Sequence, residues 1–128
     1  MDETARFALP QLAPGQAQKE WAHNEALQRI DLMLCPAIDG AAMTTPPGSP
    51  VAGACYLVGT GATGAWAGRD AMLAGFTEGG WRFIAPIEGM RMLDRVSGQL
   101  VVRRGGAWEA GISRAAALST IARFDPVY

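Results

Sequence analysis

One window limits the fold more than any other. From Gln16 to Cys35 the chain carries neither glycine nor proline, and the window is filled with strong helix formers: Ala, Gln, Lys, Glu, Leu, Arg and Met. Pro14-Gly15 punctuates its start. Pro36 closes it, because a proline disfavours helix in the residue before it. The expectation is a helix over residues 15–35, about 30 Å long at about 1.5 Å per residue. Gln16, Glu20, His23, Leu27, Ile30 and Leu34 fall on one stripe at spacings of three and four, polar in its first half and apolar in its second. Ala17, Trp21, Gln28 and Leu32 form a second stripe to one side. Two partly apolar faces point to two partners, the chain's own domain and another copy of the chain. The first stripe is therefore the candidate oligomer interface. The competing reading is an ordinary amphipathic helix packed on its own sheet.

Proline placement divides the rest. Residues 1–14 read as an extended arm, since Pro10 and Pro14 forbid regular helix. Residues 36–54 read as a linker whose centre, Thr44-Thr-Pro-Pro-Gly-Ser-Pro50, favours a stiff polyproline-like excursion. Residues 55–111 alternate short strand-like segments with glycine turns. These are Cys55–Val58, Met72–Phe76, Trp81–Ile84, Met90–Leu93, Gln99–Arg103 and Ala107–Ala110. Leu73–Trp81 and Leu100–Trp108 share a layout at an offset of 27 residues: a strand, a glycine turn, and a tryptophan opening the return strand. Residues 112–128 form a tail in which Ser113 can cap a short helix ending before Pro126. The fold class expected is α+β, a long N-terminal helix followed by a small antiparallel β-meander with glycine turns.

Composition excludes several functions. Eleven basic and twelve acidic residues leave a net charge of −1, which builds no positive field for nucleic acid. No window approaches the run of apolar residues that a membrane span needs. The acidic start, Met1-Asp-Glu-Thr4, has no hydrophobic run of the signal-peptide kind, so synthesis in the cytoplasm is expected. Cys35 and Cys55 lack metal-ligand spacing and read as free thiols.

Few stretches carry chemistry. Gly59-Thr-Gly-Ala-Thr-Gly64 has the spacing of a phosphate-binding loop. That loop needs a following helix and a βαβ unit, and Ala65–Asp70 supplies neither. His23 is the only histidine, so no catalytic triad forms except through it. Cys35 lies about 18 Å further along the same helix. A metal shared by Glu20 and His23 across a symmetry axis is outweighed by a polar layer that sets register. Asp70, Glu78, Glu88, Asp94 and Glu109 sit beside turns or arginines, with no spaced pair of the kind glycoside hydrolysis requires. Tyr56, Trp66, Trp81 and Trp108 can form a stacking platform for sugar rings. Tryptophans more often fill the core of a glycine-rich β domain, and Trp66 is the best candidate for exposure.

The succession Leu12–Lys19, His23-Asn-Glu-Ala-Leu27, Pro46–Pro50, Tyr56-Leu-Val-Gly59, Thr63–Gly68, Gly80-Trp81 and Pro86-Ile-Glu-Gly89 resembles a phage-related domain-of-unknown-function family. That family occurs in alphaproteobacterial prophages and gene transfer agents. The family has no established enzymatic activity, and the resemblance implies a virion-associated protein from a tail-fibre or head-spike locus, with cell-surface polysaccharide as a candidate contact. Met90 stands where the family pattern suggests an aromatic. The combined expectation is a non-enzymatic structural or adaptor component of a phage-like particle, needing no cofactor and no metal. It self-associates through the helix, with a trimer favoured, and contacts other particle proteins. The alternative is a carbohydrate-binding module using Tyr56, Trp66, Trp81 and Trp108.

Overall fold

A computed structural model describes residues 3–15 and 19–112. It contains one helix, α1 (Lys19–Met33), and seven strands: β1 (Ala37–Ile38), β2 (Cys55–Leu57), β3 (Leu73–Thr77), β4 (Gly80–Ile84), β5 (Arg91–Asp94), β6 (Leu100–Arg104) and β7 (Ala107–Ile112). The strands build two sheets, one in the order β1-β5-β6-β7 and one in the order β2-β3-β4. All pairings are antiparallel except that of β1 with β5.

This corrects the expected fold class. The described chain is mainly β, with a helix of 15 residues and two sheets rather than a long helix and one meander. Two local causes are visible. The helix stops at Met33 because Cys35 adopts a positive φ of 46° and Pro36 cannot continue the helical ladder. The meander divides because the segment from Ala85 to Met90, which contains Pro86, leaves β4 and β5 unpaired. In its place β5 takes β1, from the segment read as a linker, as its parallel neighbour.

That segment also joins the sheets. Leu93 and Arg95 donate their amides to the carbonyls of Pro36 and Ile38, while Asp39 and Met43 donate theirs to Cys55 and Leu57. Residues 36–43 thus bond β5 on one side and β2 on the other. The shared core follows the same line. Ile38, Met92 and Val101 come from one sheet; Cys55, Leu57, Leu73 and Ile84 come from the other; Leu32 comes from α1.

The opposite face of the three-stranded sheet has its own layer. Period-two alternation sends Cys55 and Leu57 into the shared core and turns Tyr56 and Val58 outward. There a 3₁₀ turn (Gly64–Trp66) lays Trp66 over Ala74 and Val58, with Trp81 and Phe83 beside it.

The helix is fastened by polar groups. Asp31, only 1% exposed, accepts hydrogen bonds from the Thr4 hydroxyl at 2.7 Å and from the amides of Arg6 at 2.8 Å and Phe7 at 2.7 Å. The Arg6 guanidinium donates to the carbonyls of Asp31, Leu32, Leu34 and Cys35, four acceptors that the helix end cannot satisfy internally. Asn24 exchanges two hydrogen bonds with the backbone of Leu12. Residues 3–12 are thereby fastened to their own helix. On the sheet side, Arg82 Nε lies 2.9 Å from both Glu25 carboxylate oxygens. Gly75 lets Leu32 reach the sheet, because a Cβ there would stand 2.5 Å from Leu32 Cδ2.

Candidate functional site

The burial of α1 is inverted relative to an ordinary amphipathic helix. Its buried residues are Gln28, Asp31 and Leu32, two of them polar. At about 100° per residue, His23, Leu27, Ile30 and Leu34 lie between about 140° and 180° around the axis from Leu32. His23, Ile30 and Leu34 therefore face away from the domain, whereas Leu27 lies about 40° from Asp31, on the side that residues 4–7 cover. Ile30 is 48% exposed and Leu34 40%; His23 is exposed and Leu27 half-buried. Cys35, next after Leu34, lines a groove of about 290 Å³ with Pro36, Arg91, Met92, Leu93 and Leu100. Leu93 and Leu100 are exposed and directly paired across β5 and β6. Ile30, Leu34, Leu93 and Leu100 are four exposed large apolar side chains, of which Leu93 and Leu100 are direct neighbours; exposed apolar patches mark interaction sites in soluble proteins.

Two members of the expected seam stand apart. Gln16 lies outside the described residues. Glu20, seven residues before Leu27 and within about 20° of it around the axis, is half-buried: one carboxylate oxygen accepts from the Gly15 amide at 3.3 Å, and the other is buried with no hydrogen-bond partner among the described residues. The second stripe does face the domain at Gln28 and Leu32. Its Trp21, however, remains 72% exposed at the rim.

The candidate sugar platform does not assemble as expected. Tyr56, Trp66 and Trp81 are neighbours, with ring centroids 5.9, 6.0 and 5.2 Å apart, and Phe76 extends the cluster. Trp66 is 0% exposed, so the side chain favoured for exposure is instead the centre of the outer layer and presents no face to a ligand. Burial raises the Tyr56 phenol above its ordinary range, with a smaller contribution from Asp39. Trp108 sits elsewhere, packed on the shared core, with its indole N–H donated to the Ala71 carbonyl at 2.8 Å. The exposed tryptophan is Trp21, and a helical stripe pattern gives no sign of how far the sheet extends beneath it.

The remaining motifs resolve into structural devices. Asp70 accepts from the amides of Gly61 and Ala62, so the glycine loop's own donors are taken by a carboxylate of the chain and not left open for a phosphate. Only the three-residue 3₁₀ turn follows the loop. Glu88 accepts from the amides of Gly105 and Gly106 in the β6–β7 turn. Asp94 accepts from Val96, Ser97 and Gly40. The Val96 amide, with help from Ser97 and Gly40, holds the Asp94 carboxyl below the usual carboxylate range despite some desolvation. Burial pushes the Cys55 thiol up to about 11, which keeps it protonated and a poor nucleophile; Cys35 is exposed. Among the described residues no group of three or more His, Cys, Asp or Glu is placed to hold a metal ion. No described helix is long and apolar enough to cross a membrane.

No curated protein matches the chain. A family model described as "Protein of unknown function (DUF2793)" matches residues 23–109, from the outward stripe of α1 through both sheets into β7. The chain therefore belongs to the DUF2793 family.

Proposed function

We propose that this chain is a non-enzymatic structural or adaptor component of a phage-like particle that self-associates through α1. The observation that carries the reading is the inverted helix. Asp31 and Gln28 are buried against the domain while Ile30 and Leu34 face water, an arrangement that leaves apolar area open for another copy to cover. The groove lined by Cys35, Leu93 and Leu100 offers a second partly apolar surface just past the end of the helix. Burial of several such side chains in a symmetric interface is the usual route to a homo-oligomer. The assignment to a particle rests on the ordered motifs from Leu12 to Gly89 and the phage-related family they resemble.

Mass spectrometry on particles purified from the source cells on a density gradient tests that assignment. The chain is expected to co-band with the capsid and tail proteins in a fixed ratio to them. Recovery only from the soluble fraction of lysed cells, with none in the particle band, would remove the particle reading.

A further inference from the structure

The open side of α1 carries five exposed residues in a row: Lys19, His23, Ala26, Ile30 and Leu34. At about 100° per residue they stay within about 60° of one another around the axis, with His23 near the middle, opposite buried Leu32. The stripe is divided by chemistry. Ile30 and Leu34 make its apolar end; Lys19 and His23, one turn apart, make its basic end. None of the five is acidic, and the nearby carboxylates are engaged elsewhere. Glu20 lies about 60° to the side of His23, half-buried, with one oxygen on the Gly15 amide and the other buried. Glu25 faces the domain, where it pairs with Arg82 and Arg29. In the segment packed along the helix, Arg6 is held at the far end of α1 by carbonyls from Asp31 to Cys35. Glu3 precedes Thr4, which bonds Asp31, more than two turns from His23.

We propose that self-association through α1 is switched by pH at His23 and weakens as His23 gains its proton. The switch rests on the self-association proposed above. Copies that meet in parallel along Ile30 and Leu34 bring His23 against its own counterparts, because it stands seven residues before Ile30 on the same stripe. A neutral imidazole is tolerated there as a polar layer of the seam. A protonated one sets its charge beside the like charges of the other copies, and Lys19, one turn away, adds to the same sign. No carboxylate on the stripe offsets them. The assembled chain therefore binds the proton less readily than the separate chain. By linkage, acidification through the range of about pH 8 to 5, in which histidine takes its charge, favours separate chains. His23 is the chain's only histidine, so a single substitution removes the switch.

The test is sedimentation of the full chain at about pH 7.5 and about pH 5.5 at fixed ionic strength, with circular dichroism at both to confirm the fold. The parent association constant is expected to be at least about tenfold weaker at the lower pH. His23→Gln should associate equally at both. His23→Arg, which keeps the charge at both, should associate as weakly at the higher pH as the parent does at the lower. Both replace an exposed side chain and cost little monomer stability. Equal association of the parent at both pH values, a pH dependence that survives in His23→Gln, or tight association of His23→Arg would overturn the switch and leave self-association standing. A parent that is monomeric at both pH values would overturn self-association and the switch with it.

Discussion

The hairpins β3–β4 and β6–β7 are built alike. In the first Phe76 pairs with Trp81 and Thr77 with Gly80; in the second Arg103 pairs with Trp108 and Arg104 with Ala107. Every pair is displaced by the same 27 residues, and each hairpin closes through a two-residue turn, Glu78-Gly79 or Gly105-Gly106. Their surroundings differ. The tryptophan face of the first hairpin is covered by Trp66 and Tyr56, while its other face holds Leu73 and Ile84 in the shared core. The tryptophan face of the second lies on that shared core with Val101 and Trp108, and its other face turns Leu100 and Ala107 to solvent. One local design therefore yields a strand pair buried on both faces and another buried on one. Among the described residues, what separates them is the segment 59–71, which returns over the first hairpin.

The comparison can be broken at its covering layer. Trp66→Ala is expected to cost about 3–5 kcal/mol, as for a fully buried aromatic. Trp108→Ala should cost less, because Trp108 is only half-buried. Urea unfolding of the full-length variants by circular dichroism ranks the two, and the reverse ranking would mean that the outer layer is dispensable. Gly75→Ala comes next, at about 1–3 kcal/mol from overpacking against Leu32; the same melt reads it.

A pH dependence separates the turns. The folded state holds the Asp94 carboxyl below its unfolded value. Its contribution is therefore present above the ordinary carboxylate pKa of about 4 and lost as pH falls through the depressed folded value. Asp94→Asn should be less stable than the parent at neutral pH and lose less stability on acidification, as thermal melts from neutral to strongly acidic buffer would record. Smallest of all, Leu100→Lys on the open face of the second hairpin should change monomer stability by no more than about 0.5 kcal/mol. A large loss there would mean that the face is covered even in a single copy.

Much of the local structure was legible. The strand-like segments, expected to make a meander of four or five strands, overlap the six strands β2 to β7, because period-two alternation and glycine turns act over a few residues. The apolar stripe Leu27, Ile30 and Leu34 was legible too, since helical spacing alone defines it. The division into two sheets was not. It depends on β1, a two-residue strand inside a proline-rich segment, finding β5 more than fifty residues later, and no local pattern encodes such a pairing. Asp31 gave no signal because its partners, Thr4, Arg6 and Phe7, lie on a segment without regular structure. Trp66 resembled an exposed loop residue because a glycine-rich loop precedes it. Its burial is decided by Tyr56, Ala74 and Trp81, which are distant in the chain. Trp21 was correctly placed beside Gln28 and Leu32, but its exposure depends on where β3 and β4 end.

Sedimentation equilibrium on the full chain across the micromolar range tests the central claim directly. The outward stripe of α1 predicts a mass that is a multiple of the 13.5 kDa chain, with three copies favoured. It also predicts that Ile30→Asp combined with Leu34→Asp returns the protein to a folded monomer. A parent chain that sediments as a single 13.5 kDa species at every concentration, or an assembly that this double substitution leaves intact, would contradict it.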